Sequence, residues 1–504
     1  MPRIRNAVAG IALGGAVLFQ PVHAALPPVE APAQWVEHLA QLRTADAVQG
    51  DEARCNAHPD LPGNQWRPGA AQGRCSLLRA PAWTLDEIDG LLSTDKGVAQ
   101  LERGFAALLD AHYRDQAQRE QIFIAFTVFD ASPRAGEVAQ RWLKAAPKSP
   151  FAMVASGAHF GSAGWKARGT RYASKTSADQ FERMSGYFDK AVPLYVQALE
   201  VEPRLSVACY KLNAIGRQSD PALQMSATAH CLDVDPDSYY VAWEQLISAQ
   251  PKWGGSDDQM RHAVAYAAAR TQRNPILGAL LGEAAGYEPL MADNYGEVVD
   301  ELAGAARMGP GASLLVAAGK GYWTNHDFWS AIAYYSQALR FRPDDADYRY
   351  GRAQLTGSMR YYEWARSDLE VALRLEPDNL RYQLAMGGVV EELETPAAAR
   401  VYYERALHSE LRPQAVERYC RTFLIPTVLE EGQACTRELV EEFPTSVSAW
   451  KYRAWALLER DPAGSVEAEK RAWALMYPPG TPVPVPQVIS IPAAPTKPSS
   501  NSKK

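Results

Sequence analysis

The chain has 504 residues, with 52 basic and 58 acidic side chains, a formal net charge of −6 and 47% hydrophobic residues. That length exceeds one ordinary domain of roughly 100–200 residues. The mild acidity, without a basic run or a basic–aromatic stripe, argues against a nucleic-acid partner. Past the first two dozen residues no stretch is apolar for the ~20 residues a membrane-spanning helix needs.

Residues 1–24 carry Arg3 and Arg5, an apolar run from Ala7 to Phe19, and Val22-His23-Ala24. This pattern predicts a signal peptide cleaved after Ala24 and export to a periplasm, the alternatives being secretion or an N-terminal anchor. Without Arg3 and Arg5 the charge becomes −8, from 50 basic against 58 acidic residues. Gln34–Val48 reads as a helix with Trp35, Leu39 and Leu42 on one face. Gly50–Ala82, rich in Gly, Pro and Asn, reads as an irregular loop held by Cys55 and Cys75, with His58 a solvated loop residue of no assigned role. Thr84 with Glu87 forms a capping box. Helices are predicted at Leu85–Leu92, Gly97–Tyr113, Arg119–Phe129, Ala135–Ala145 and Pro150–Phe160.

A glycine-rich segment from Gly161 to Tyr172 then breaks the rhythm. Trp165, Arg168 and Arg171 within it are candidate ligand contacts, because aromatic and arginine anchors dominate binding sites. The same residues suit a loop whose tryptophan plugs the core and whose arginines pair with carboxylates. From Phe181 onward Ala191, Tyr195, Ala198 and Pro203 begin a pattern that recurs. Pro251-Lys-Trp253-Gly-Gly-Ser256 makes Trp253 a fourth candidate contact, or simply part of a tight turn, and Ser256 with Gln259 predicts the next helix start.

Between Ala312 and Leu411 the repetition is explicit. Ala331, Tyr335, Ala338 and Pro343 return 34 residues later as Ala365, Leu369, Ala372 and Pro377, then as Ala399, Tyr403 and Ala406 with the proline displaced to Pro413. Alanines seven apart share a helix face and admit a neighbouring helix closely. The aromatic between them fills the groove, and the proline ends the helix. This stretch resembles the tetratricopeptide (TPR) repeat family, whose unit is a helix–turn–helix of 34 residues. Closing prolines at Pro203, Pro236, Pro275, Pro310, Pro343, Pro377, Pro413, Pro444 and Pro478 extend the register at intervals of 31 to 39 residues. The two motifs around Trp165 and Trp253 also resemble a proteobacterial TPR-like family of unknown function, which implies no activity.

The expected fold is therefore all-α, a TPR-like α-solenoid (a right-handed superhelix of helical hairpins) without a substantial β-sheet. The expected divisions are the signal at 1–24, an N-terminal helical region with a disulfide loop at 25–134, and divergent repeats with a glycine-rich insertion at 135–310. TPR repeats at 311–412, TPR-like repeats at 413–478 and a disordered proline-rich tail at 479–504 follow. In this register Cys209 lies early on a first helix and Cys231 late on its partner, while Cys420 and Cys435 face each other across another hairpin. Cys55–Cys75 remains by elimination; free thiols or a metal site are the competing readings.

The chain holds no HExxH, GxSxG or P-loop, and no GxGxxG opens a helix after a strand. The functional expectation is a monomeric, exported scaffold that binds a protein or peptide segment on its concave face, without enzyme activity, cofactor or metal. The alternative is an enzyme or small-ligand receptor with a pocket around Trp165, Arg168, Arg171 and Trp253.

Overall fold

The structure is a computed structural model that describes residues 27–171 and 173–477. The expected signal at 1–24 and tail at 479–504 lie outside the described residues. Among those residues there are 25 α-helices, six short 3-10 segments and no strand. No described helix is long and apolar enough to cross a membrane. The fold is an all-α array of TPR-like hairpins, divided into two compact units. One holds Glu30–Leu355; the other holds residues 27–29 together with 356–477.

The proline register has a simple local cause. Helices Pro133–Ala145, Ala178–Val201, Pro221–Val234, Val299–Met308, Phe328–Phe341, Tyr362–Leu375 and Leu429–Glu442 each end two residues before a proline, from Pro147 to Pro444. The proline ring excludes helical geometry from the residue before it, so the helix stops there. Two prolines depart from this role: Pro275 opens the 3-10 segment Pro275–Leu280, and Pro413 lies in the first turn of helix Arg412–Arg421. A missing N–H costs nothing in a first turn, so sequence position alone does not separate an opening proline from a closing one. Helix starts are set by side-chain caps: Thr84 and Glu87 form the full capping box, Ser177 and Gln180 form another, and Ser256 Oγ accepts from the Gln259 N–H.

The repeated residues form the interhelical packing. Ala331, Tyr335, Ala338, Ala365, Leu369, Ala372, Ala399, Tyr403 and Ala406 are all buried, none more than 2% exposed. Each tyrosine fits where its neighbour has no side chain. A Cβ on Gly351 would lie 2.5 Å from the Tyr335 ring, and one on Gly387 would lie 2.4 Å from Tyr403. Where the middle copy has the smaller Leu369, Gly357 is roomy and its Cβ position meets only Ala365 at 3.8 Å.

Three disulfides are formed, Cys55–Cys75, Cys209–Cys231 and Cys420–Cys435, with Cα–Cα distances of 5.4, 5.6 and 5.4 Å. The second and third join adjacent antiparallel helices, as the register implied. Closing loops of this size restricts the unfolded chain by about 3 kcal/mol each in the chain-entropy account.

Two expectations are corrected. Residues 50–82 are not an irregular loop: helices Asp51–Ala57 and Ala70–Ser76 flank the first disulfide. They are ordered by the array rather than by their own periodicity. Arg340 Nε donates to the Cys55 carbonyl at 2.8 Å, Arg54 to Leu339 O at 3.2 Å, Trp66 Nε1 to Ala306 O at 2.9 Å and Gln65 N to Arg307 O at 2.8 Å. His58 is accordingly buried, not solvated, and bonds Asp46 at 3.2 Å. The segment from Gly161 is likewise no loop as far as Arg168, because helix Pro150–Arg168 continues through its first eight residues. A Cβ on Gly164 would lie 2.6 Å from Phe188, so this glycine lets the long helix Ala178–Val201 approach.

Candidate functional site

The four sequence candidates fall in two packing neighbourhoods. Trp165 meets Phe188 edge-on at 5.3 Å and joins the hydrophobic core of that hairpin. Arg168 closes the end of its own helix, Nη1 donating to Gly169 O at 3.2 Å and Arg171 O at 3.3 Å. Arg171 is exposed. Trp253 lies under the Arg217 guanidinium at 4.4 Å, and Arg217 pairs with the buried Glu244 at 2.8 Å.

A different cavity gathers the side chains suited to binding. It has a volume of about 280 Å³ within the Glu30–Leu355 unit. Tyr210, Tyr239, Tyr240 and Trp243 supply aromatic surface; Arg74, Glu283 and Arg342 supply charge. Helix Tyr239–Ser248 presents three of the aromatics at consecutive and i+4 positions, on one side of the helix. Tyr240 is backed by Phe123, stacked at 4.5 Å, and by Tyr210 at 5.6 Å. Rings so supported are rigid before any ligand arrives.

Arg74 comes from helix Ala70–Ser76, one residue before the disulfide. Its Nη1 donates to the Tyr239 hydroxyl at 2.7 Å, and its guanidinium also lies over Phe341 at 5.8 Å. Its Nε is buried without a partner. Arg342 is already paired with Asp345 at 3.4 Å. Glu283 has no hydrogen bond or ion pair among the described residues. Burial pushes its carboxyl up to about 7, with Arg74 pulling the other way. A Cβ on Gly311 would stand 2.5 Å from Glu283 Oε1, so a side chain there would displace the carboxyl. A second cavity of about 430 Å³ shares Leu77, Tyr240 and Arg342 with the first and continues to Arg79, Asp344 and Asp345.

The aromatic helix is held from behind by a buried polar cluster. Glu120, in a left-handed conformation at φ 71°, accepts from Tyr239 N at 2.6 Å, Ser238 Oγ at 3.1 Å and Asn274 Nδ2 at 3.2 Å. A carboxylate at the first N–H groups of a helix fixes its direction and suits the helix dipole. Burial pushes Glu120 up to about 7. The Glu120 N–H donates to His112 Nδ1 at 2.9 Å, which leaves the ring proton on Nε2, donating to Asp235 at 2.7 Å.

None of these cavity residues was singled out from sequence. The one local signal was Tyr239-Tyr240 with Trp243 at the start of a first helix. Arg74 and Glu283 carry no such mark, because they are 209 positions apart and meet only through the fold.

No family model matches the chain. No curated protein matches it either. Solved TPR structures do. YrrB, described as a TPR protein with an unusual peptide-binding site, is 19% identical over 36% of this chain and 91% of its own, with a TM-score of 0.28. A tetratricopeptide repeat protein from Parabacteroides merdae is 14% identical over 47% of this chain and 94% of its own, with a TM-score of 0.32. The Cut9–Hcn1 hetero-tetramer of the APC/C is 12% identical over 87% of this chain and 96% of the matched one, with a TM-score of 0.34. The hairpin fold of this chain is assigned from its own helices and their packing.

Proposed function

We propose that the protein is an exported interaction scaffold, resident in the periplasm, that binds a peptide or protein segment. One observation carries this reading. Segments as distant as Arg74, Tyr210, Tyr239–Trp243 and Arg342 converge on a cavity lined by tyrosine, tryptophan and arginine. These are the residue types that dominate binding energy when held in pockets. The neighbouring cavity with shared walls supports a ligand that continues past one residue. Three disulfides suit an oxidising compartment outside the cytosol.

The test is affinity purification from the periplasmic fraction with mass spectrometry, comparing wild type with Trp243→Ala and with Arg168→Ala/Trp253→Ala. The expected result is a protein partner retained by the double variant and lost by Trp243→Ala. Loss in the double variant alone would move the contact to the Trp165–Arg171 and Trp253 surfaces. Absence of any partner from all three would overturn the scaffold reading.

A further inference from the structure

The cavity described above has two charged groups of opposite sign whose hydrogen-bonding capacity is incompletely used, set among aromatic rings. Glu283 has two carboxylate oxygens and no donor among the described residues. Arg74 spends Nη1 on Tyr239, and no other hydrogen bond or ion pair of this guanidinium occurs among the described residues. The other charge in the wall, Arg342, is neutralised by Asp345. A pocket meant only for an apolar side chain would gain nothing from either group, since an unsatisfied buried ion is costly. A ligand with a single anion would be repelled by Glu283, and one with a single cation by Arg74. The pair fits a ligand that brings a cationic N–H donor and an oxygen acceptor a few atoms apart, with an apolar body for Tyr239, Tyr240 and Trp243.

We infer that the cavity receives an apolar residue with a free α-ammonium group, its nitrogen on Glu283 and its adjacent carbonyl or carboxylate oxygen on Arg74. Two sources share that chemistry: the first residue of a polypeptide and a free amino acid. The cavity of about 280 Å³ is sized for one residue, and the second cavity gives a chain somewhere to continue. The inference rests on the reading of this cavity as the ligand site and gives it a chemical specificity.

Two further facts fit. The wall residues Gly311, Ala312 and Ser313 begin helix Ala312–Thr324, whose first N–H groups lack intrahelical partners and favour negative charge. Gly311 keeps the space that the Glu283 carboxylate occupies.

The experiment is isothermal titration calorimetry at pH 7.5 on the protein purified with its disulfides intact. The probes are the tripeptide Phe-Ala-Ala, its N-acetylated form, and L-phenylalanine. Acetylation removes the cation while keeping ring, backbone and carboxyl terminus. The expected result is binding of Phe-Ala-Ala that weakens about tenfold or more on acetylation, the cost of losing a hydrogen bond between charged groups. In Glu283→Gln, of nearly the same size, the free and acetylated peptides should bind equally. Tripeptide binding tighter than that of L-phenylalanine assigns the site to a chain end. Equal or tighter binding of the free amino acid keeps the ammonium site but removes the scaffold reading. Equal affinity of the two tripeptides for wild type, or no binding by any probe, overturns the inference. If a protein partner is still captured in that event, the scaffold reading stands and only the chemistry assigned to the cavity has failed.

Discussion

The three repeat copies and the disulfide-linked segment that precedes them are ordered by different forces. In the copies, order is local and apolar: Ala331, Tyr335 and Ala338 lie on one face of one helix, and their partners lie on the next helix in sequence. In the segment from Asp46 to Arg79, order is remote and polar. Asp46 binds Arg352 at 2.9 Å, His58 at 3.2 Å and Arg54 at 3.9 Å, while Arg340 holds Cys55 and Asp60. The first kind of order repeats because each unit needs only its neighbour. The second can occur once, since it needs partners nearly 300 residues away. The candidate cavity lies where the two kinds meet, with Arg74 from the segment and Tyr239, Trp243 and Arg342 from the array.

The largest effect should come from breaking the remote network. Burial works to raise the Asp46 carboxyl, but Arg352 and His58 outweigh it and hold it far below the ordinary carboxylate range. Replacing Asp46 with Ala leaves two buried arginines and a buried histidine short of their shared anion. Breaking a buried ion pair from one side costs about 3–5 kcal/mol. Urea unfolding followed by circular dichroism should show that loss. A change below about 1 kcal/mol would mean that the disulfide and Trp66, not the charges, hold the segment.

The repeats predict a sign change within one helix. Both Gly351 and Gly357 lie in helix Ala346–Ser358, but only Gly351 faces a tyrosine. Gly351→Ala should destabilise by about 1–3 kcal/mol, the usual cost of overpacking. Gly357→Ala has room and should be neutral or stabilise by up to about 0.5–1 kcal/mol through lost unfolded-state freedom. Thermal melts of the two variants measure this directly, and equal effects would remove tyrosine-into-glycine packing as the rule of the array.

The same contrast explains what was legible in sequence. Helix ends at Pro203, Pro343 and Pro377, the burial of Tyr195 and Tyr403, and the pairing of Cys209 with Cys231 follow from a register that short-range patterns carry. His58, Arg74 and Glu283 do not. A histidine in a Gly- and Pro-rich stretch has no local feature that announces a carboxylate twelve residues back or an arginine layer beneath it. The glycines at 161 and 164 misled for the opposite reason. Glycine suggests a chain break when read alone, yet in an apolar helix beside Phe188 it provides clearance. Composition cannot distinguish the two uses, because the deciding atom belongs to another helix.

A similarly small effect falls on the cavity itself. Glu283 titrates near 4.5 in the unfolded chain and near 7 when folded, because burial outweighs the nearby Arg74. Its folded value is raised, so the folded state keeps the proton that the unfolded state gives up. Stability from this group is full below about pH 4.5, declines as pH rises and levels off above about 7. A full shift is worth about 1.4 kcal/mol per pH unit. Water in the cavity reduces that, and about 1 kcal/mol is expected. Glu283→Gln should therefore melt at nearly the wild-type temperature at pH 4.5 and above it at pH 8, while the free-ammonium tripeptide binds it more weakly. If the melting difference does not grow between those pH values, Glu283 is not a buried ion and has no desolvation cost to offset by binding. Parallel growth of stability and loss of binding would mark Glu283 as a residue kept for its ligand at the expense of the fold.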